Sequence, residues 1–448
     1  MRFAVFMIVF CLTAPSLRAQ FNGEQPQERS QNPLVTYQAL SKFRADSGLP
    51  RVDIHYRIGE SYFIFVRNES PNAKSPYIAR GELSVELLND QRVSVAREIR
   101  QLQVLRNQLL RDSERAPSLQ GAVSLTAPPG TYTVVFSVDD RESGRTFMER
   151  TRKITLPAIA PTSLETSSIM FVQETATPQG TVTFVPTNRG GNTLFAESGY
   201  ALIELHQPTP DNNLAVEWSL SCNAEVFGQK TVNIKGSEFR TVSGLVRIVP
   251  QETGITYVAE QASPEWKTLL IPLPLAQLTP GRITLEIQIT SGPLKKNQTH
   301  QFSVIWPSRP LSLADADLAI DALRHIAPEE EIEKMTSGPI GQRSEAFISF
   351  WRAKSPDTLT AYNVQMAEYY YRVDEATRKY STIRENDGYK TDRGRIYILY
   401  GQPQRSERLL QPNSSPMEIW SYDRLGKRFV FIDTAKNGNY ILTQVENL

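Results

Sequence analysis

Two stretches of this chain have the same layout. In each, a Pro-Gly pair leads into a run with apolar residues at every second position, at 129–138 and again at 280–289. A polar turn, a second strand-like run and a proline follow, ending at Pro157 in one copy and at Pro307 in the other. Alternation of this kind places one face of a strand in a core, so both copies predict antiparallel sheet with one buried face.

The spacing between the copies suits two successive β-sandwiches of the immunoglobulin-like or fibronectin-like type. We place these domains at residues 34–157 and 165–307. Alternating runs at 62–66 and 181–185 are expected to be further strands. The charged segment 93–115 is expected to be a helix or a long excursion between strands. Sandwiches act as binding modules and as spacers, so the fold alone does not predict a function.

The periodicity changes after Pro310, and residues 312–448 are predicted to form a C-terminal α+β domain. Four helices are expected first, at 313–323 behind a Ser312 cap, 328–335, 347–352 and 360–380. Four strands are expected next, at 395–400, 417–422, 428–433 and 440–445. The whole chain is therefore predicted to be multidomain and mainly β.

The join between these helices and strands is the sequence GYKTDRGRIYILYGQP, residues 388–403. Gly388 and Gly394 are expected to allow a positive φ at the corner. Asp392 is expected to accept backbone N–H groups across the turn that Arg393 and Gly394 make. These residues would then serve as a folding device.

This join also carries a motif, Gly388-Tyr389-Lys390-Thr391-Asp392. The motif resembles that of the GWxTD-domain family of secreted bacterial proteins, with Tyr389 in place of the tryptophan. The resemblance covers roughly the last 110 residues. It implies export and a C-terminal α+β domain, and no chemistry, because the family has no established activity. It continues through 393–397, 400–403, Glu418-Ile419-Trp420, 428–431 and Tyr440.

Two interpretations of this region stay open. In the preferred one, the motif residues hold the corner or bind a partner, and the protein is a non-catalytic interaction or scaffold protein. In the alternative, Asp392 and Glu418 converge for general acid–base catalysis in a cell-envelope hydrolase. The residues proposed for the motif or for binding are Gly388, Tyr389, Thr391, Asp392, Arg393, Gly394, Arg395, Tyr397, Tyr400 and Trp420.

Composition limits the partners and cofactors. The 49 Lys and Arg residues nearly balance the 48 Asp and Glu residues, giving a net charge of +1. Neither nucleic acid nor an anionic membrane is therefore implied. A protein or a cell-envelope polymer is considered as the partner. The four histidines stand apart in the sequence and no metal-ligand spacing or phosphate loop occurs, so no metal and no cofactor are predicted. No pattern predicts the oligomeric state.

The N-terminal segment reads as a secretory signal peptide, residues 1–19, cut after Ala19. Its apolar run is shorter than the roughly 20 residues that cross a bilayer, and no later stretch is apolar enough to do so. The mature protein is therefore expected to be periplasmic, associated with the cell surface or secreted. Cys11 leaves with the peptide, and Cys222 is expected to be a buried free thiol.

Overall fold

A computed structural model of the chain shows five β-sheets and five α-helices within the residues that it describes. It describes residues 34–447 apart from 45–48, 71–72, 109–116, 177–181, 225–230, 252–253, 356, 358–359, 383–384 and 413. The predicted signal peptide lies outside the described residues.

The first two sheets come from residues 35–156. Sheet A has the strand order β1-β2-β6, and sheet B has the order β3-β4-β7-β8, with β5 paired to β4. Sheet A contains β1 (Val35–Lys42), β2 (Arg51–Gly59) and β6 (Ser118–Thr126). Sheet B contains β3 (Val66–Arg67), β4 (Tyr77–Leu88), β5 (Ser94–Arg106), β7 (Gly130–Asp140) and β8 (Thr146–Leu156).

The next two sheets come from residues 165–305. Sheet C has the order β16-β19-β13-β10-β11-β18-β17, with β9 paired to β13, and sheet D has the order β12-β21-β20-β14-β15. Sheet C contains β9 (Glu165–Thr166), β10 (Met170–Ala176), β11 (Val182–Pro186), β13 (Gly199–His206), β16 (Arg240–Ser243), β17 (Leu245–Gln251), β18 (Gly254–Glu260) and β19 (Trp266–Leu273). Sheet D contains β12 (Thr193–Leu194), β14 (Leu214–Ala224), β15 (Thr231–Gly236), β20 (Gly281–Ser291) and β21 (Leu294–Ile305).

Both Pro-Gly runs form long strands, β7 and β20, that begin at the glycine. Two local predictions are corrected. The segment 62–66 is mostly not a strand, because Glu60–Tyr62 forms a 3₁₀ turn and only β3 begins at its end. The described part of 93–115 is the edge strand β5, whose outward residues face solvent, so its pattern lacks a continuous apolar face.

The sheets stack in four layers in the order B, A, C, D. Sheets A and B share one core, and sheets C and D share another, which also encloses the buried thiol of Cys222. A third core joins A to C, where Leu40 and Ala122 pack with Val246 and Tyr257. Both faces of sheet A are therefore covered, one by each neighbouring sheet.

The C-terminal part contains all five helices and sheet E, so the predicted fold class, mainly β with a C-terminal α+β part, is confirmed. Helix α1 is capped by Asp315 and not by Ser312, which lies in a preceding 3₁₀ turn. The helices are α1 (Ala316–Ala322), α2 (Glu329–Thr336), α3 (Ile340–Ala353), α4 (Val364–Tyr380) and α5 (Asp392–Tyr400). Sheet E, in sequential order, contains β22 (Arg405–Leu409), β23 (Met417–Tyr422), β24 (Lys427–Ile432) and β25 (Ile441–Asn447).

Aromatic side chains join this C-terminal part to sheet D. The ring of Tyr362 lies 5.2 Å from that of Phe195 and 5.7 Å from that of Trp306. Nearby, the Ala361 N–H donates to the carbonyl of Ala276 over 2.8 Å. The helices and sheet E are thus held against the layered body through both side-chain and backbone contacts.

A chain of polar groups is buried between sheets A and C. Tyr257 of β18 donates its hydroxyl proton to Asp53 over 2.9 Å, and Arg51 Nε lies 3.1 Å from the same carboxylate. Since the Tyr257 proton points to Asp53, His55 Nε2 is the donor in the 2.6 Å bond to the tyrosine oxygen. Burial, together with the charges of Lys42 and Arg51, lowers the pKa of His55 to about 4 against the opposing effect of Asp53.

Glu204 of β13 completes this buried cluster. Its carboxylate accepts the N–H of Phe43 over 2.9 Å and the N–H of Val246 over 3.2 Å. The side chain of Lys42 is fully buried nearby, and burial lowers its pKa while the charge of Glu204 raises it. One carboxylate from sheet C therefore satisfies backbone groups on both sides of the layer contact.

Acid should destabilise this layer contact through His55. The unfolded histidine takes up a proton near pH 6.5, while the folded one stays neutral down to about pH 4. Stability is therefore complete above pH 6.5 and falls as the pH is lowered, by about 2 kcal/mol between pH 7 and pH 5. Urea unfolding at both pH values measures this loss. The His55→Gln variant, whose amide can still donate to Tyr257, should lose much less over the same interval, and an equal loss in both proteins would refute the assignment.

Candidate functional site

The motif residues begin a helix. Helix α5 spans Asp392–Tyr400, so the strand predicted at 395–400 is wrong. Thr391 is its N-cap, because its Oγ1 accepts the Gly394 N–H over 3.0 Å and donates to the Gly388 carbonyl over 2.7 Å. A threonine cap of this kind satisfies one of the free N–H groups that open a helix.

The apolar pattern of this helix reflects its surroundings. Three consecutive side chains, Ile396, Tyr397 and Ile398, are buried. Helix α5 contacts α4 and also β25, so more than one of its faces is covered. When a short helix is buried on several faces, its apolar residues do not repeat every three or four positions. The apolar residues of this segment then fit a strand as well as a helix.

The two motif glycines are needed for close backbone contact and not for a positive φ, which neither residue has. A Cβ on Gly394 would lie 2.0 Å from the Gly388 carbonyl oxygen. A Cβ on Gly388 would lie 2.5 Å from the Ala376 carbonyl oxygen in α4. The expected reason for these glycines is corrected accordingly: they let α4, the 3₁₀ turn Gly388–Lys390 and α5 touch.

Asp392 reaches sheet E. Its Oδ2 accepts the backbone N–H of Leu442 in β25 over 2.8 Å, and its Oδ1 accepts a hydrogen bond from Arg395 over 3.1 Å. Asp392 thus does accept a backbone N–H, but not one from the corner itself, where Thr391 provides the cap. Its position in the first turn of α5 also suits a negative charge.

Tyr389 anchors the motif to α1. Its ring is buried, and its hydroxyl donates to Asp321 over 2.6 Å. Its carbonyl oxygen lies 3.0 Å from His325 Nε2, and Lys390 Nζ lies 3.3 Å from Asp321. The residue in the tryptophan position of the motif therefore fills a packing site and adds a hydroxyl bond to it.

Glu418 is bound by several donors. Its Oε2 accepts a hydrogen bond from Arg393 over 3.0 Å, and its Oε1 accepts one from the Trp420 indole over 2.8 Å. Ser406 approaches the same Oε1 at 3.3 Å. Asp392 and Glu418 are thus engaged with different partners, Asp392 with Leu442 and Arg395, and Glu418 with the groups named here.

The remaining motif aromatics pack into the C-terminal core. The Trp420 ring lies 4.8 Å from that of Phe431, and the Tyr400 ring lies 5.2 Å from that of Phe429. Tyr397 is buried 5.7 Å from Tyr380. These side chains hold the helices on sheet E.

Arg393 leads from the motif to an open groove. Its guanidinium lies 4.2 Å from the centre of the Tyr440 ring, and its Nη2 donates to the Gly438 carbonyl over 3.0 Å. The groove has a volume of about 460 Å³. Its lining comprises Ser381, Thr382, Arg393, Arg408, Asn437, Gly438 and Tyr440, and neither Asp392 nor Glu418 is among them.

Arg408 adds a positive charge to the groove, and Glu418 lies opposite it on the neighbouring strand β23. Its Nε and Nη2 donate to the Tyr440 hydroxyl oxygen over 3.1 and 2.9 Å, and this bonding raises the pKa of Arg408. Among the described residues, no carboxylate lies within ion-pair distance of Arg408. By contrast, the charge of Arg393 is paired with Glu418 at 3.0 Å.

Sequence reasoning missed Arg408 as a site residue. Strand β22, which carries it, is exposed at all five positions and so has no apolar alternation to reveal it. The turn at Lys436-Asn437-Gly438 has a positive φ at Lys436 and at Gly438. Asp433 fixes this turn by accepting the N–H groups of Asn437 and Gly438.

No helix in the described ranges is long and apolar enough to cross a membrane. Nor does any group of three His, Cys, Asp or Glu side chains in that part of the chain have the arrangement of a metal site.

Comparison with known proteins identifies one region. Residues 293–447 match the family model of the GWxTD domain. The match begins at the turn before β21 and includes α1 to α5 and sheet E. No curated protein matches the chain.

Similarity to solved structures is weak. One match is a structure described as the complete manganese lipoxygenase of Gaeumannomyces graminis and part of the zonadhesin of Komagataella pastoris. The two sequences are 10% identical, and the match covers 61% of this chain and 94% of that chain with a TM-score of 0.15. Another is the C-terminal domain of the Streptococcus pyogenes antigen I/II-family protein AspA, at 7% identity over 60% of this chain and 100% of that chain, also at 0.15. Scores this low support no argument about fold or function.

Proposed function

Since residues 293–447 of this chain are a GWxTD domain, we propose that the protein is an exported cell-envelope protein that binds a partner through this domain and catalyses no reaction. The partner is a protein or a cell-envelope polymer, held in the groove beside Arg393. The predicted signal peptide at residues 1–19 supports export. The stacked sheets A to D provide a support from which the domain is presented.

One observation carries this proposal: the two candidate catalytic carboxylates are already engaged. Asp392 accepts the Leu442 N–H, and Glu418 accepts from Arg393 and Trp420. A hydrolase would need these carboxylates at a common site open to substrate, with one free to move a proton. The groove beside them instead offers fixed donors and a positive charge, which suits recognition.

Co-sedimentation with the envelope fraction of the producing cell tests the proposal. The mature full-length protein should sediment with that fraction, and Arg408→Gln should sediment far less. Arg405→Gln is the matched control, since Arg405 lies on the same strand but is already paired with Asp423 at 3.0 Å. The native protein from that cell should begin at Gln20 on N-terminal sequencing. A retained Met1 would refute export. Equal sedimentation of the wild type and Arg408→Gln would refute the assignment of binding to the groove.

A further inference from the structure

We propose that the groove beside the motif is a carboxylate-binding site, with Arg408 as its principal contact. This inference rests on the proposed function, because it names the chemical group by which a partner would be recognised. The group is a single carboxylate on a peptide or polymer.

Hydrogen-bond donors dominate the groove. Thr382 Oγ1 accepts the Glu385 N–H over 3.0 Å, which leaves its own hydroxyl proton to donate. Asn437 Oδ1 accepts the Asn439 N–H over 3.0 Å, so its amide NH₂ is the remaining polar end. The Gly438 carbonyl, an acceptor, is already bonded to Arg393. A ligand that supplies acceptor oxygens fits this set.

The orientation of Arg408 favours a planar anion. Because Nε and Nη2 both donate to the Tyr440 hydroxyl, the edge formed by Nη1 and the second Nη2 hydrogen is left for a ligand. That edge presents two parallel N–H bonds, which is the geometry that carboxylates accept in bidentate pairs. The Tyr440 bonds hold the guanidinium in place, so less side-chain freedom is lost on binding.

The charge of the groove favours a monoanion. Arg393 is neutralised by Glu418, whereas Arg408 has no carboxylate within ion-pair distance in the described part of the chain. A guanidinium without a direct ion pair, in the field of the nearby carboxylates of Glu418 and Asp433, matches a single carboxylate better than a doubly charged phosphate. The volume of about 460 Å³ is enough for a carboxylate together with the residue or sugar that carries it.

The test is a titration of the full-length protein, labelled with ¹⁵N-arginine, with sodium acetate at constant ionic strength. The Arg408 Nε–H signal, assigned by its absence in Arg408→Gln, should move and saturate. An N-acetylated dipeptide with a free C-terminal carboxylate should produce the same shift, and its C-terminal amide should not. Thermal unfolding checks that each variant is folded.

Matched variants define the expected effect. Arg405→Gln should bind acetate as the wild type does, and Arg408→Lys, which keeps the charge but loses the fork, should bind about tenfold more weakly. A shift that stays linear in acetate, or tighter binding of inorganic phosphate, would overturn the carboxylate site. Saturable acetate binding without co-sedimentation would uphold this site and refute the proposed function. Co-sedimentation without acetate binding would uphold the proposed function and refute the carboxylate site.

Discussion

Replacing Gly394 with valine is expected to lower the free energy of unfolding by roughly 3 kcal/mol or more. A Cβ at this position would lie 2.0 Å from the Gly388 carbonyl oxygen and 3.0 Å from the Tyr389 Cα, both backbone atoms. A flexible side chain could move aside, but here the whole α5 helix would have to shift, breaking the Thr391 cap. Urea unfolding of the full-length protein measures the effect.

Gly341 in α3 provides the matched control. It is also a helical glycine, but a Cβ there would meet nothing within 4 Å. Gly341→Val should therefore change stability by no more than about 0.5 kcal/mol. Equal losses in the two variants would mean that the residue type, and not the contact with Gly388, determines the cost.

Replacing Glu204 with alanine is expected to cost roughly 3–5 kcal/mol, the usual range for removing one member of a buried charged cluster. The variant would leave the N–H groups of Phe43 and Val246 without their acceptor and would remove the carboxylate charge that acts most strongly on Lys42. Since these contacts connect sheets A and C, the loss reflects weaker packing of the two sheets. It is measured as the fall in the free energy of unfolding in urea.

Glu165 serves as the control for this prediction. It also pairs with a lysine, at 2.6 Å from Lys296, but both side chains are partly exposed. Glu165→Ala should cost about 0–1 kcal/mol in the same urea unfolding measurement. If Glu204→Ala cost no more than this, the buried cluster would not stabilise the layer contact.

Local pattern was enough to predict strands with one buried face. The Pro-Gly runs form β7 and β20. In each strand, side chains that enter a core alternate with side chains on an exposed or half-buried face. Strand β2 shows where such reasoning ends. Its residues Val52 and Ile54 face sheet B, while the intervening Asp53 and His55 are buried against sheet C. Polar residues at alternate positions of a strand normally indicate a face exposed to solvent. Here that face is buried, because sheet C packs on it.

The site was predictable in its location and less so in its geometry. The motif placed Thr391, Asp392 and Arg393 at a structural corner, which they do form. The helix that follows was missed because its burial on several faces hides the helical period. The groove was missed because its charge comes from Arg408, which lies in an exposed strand and becomes significant only beside Tyr440.

Asp392→Asn separates the two roles proposed for this region, a structural corner at the motif and a binding site in the groove. Urea unfolding and acetate titration of this variant test both roles together. The asparagine oxygen can still accept the Leu442 N–H, while the ion pair with Arg395 and the favourable charge at the start of α5 are lost. We predict a stability loss of about 1 kcal/mol, with acetate binding unchanged. Unchanged stability combined with lost acetate binding would contradict the account.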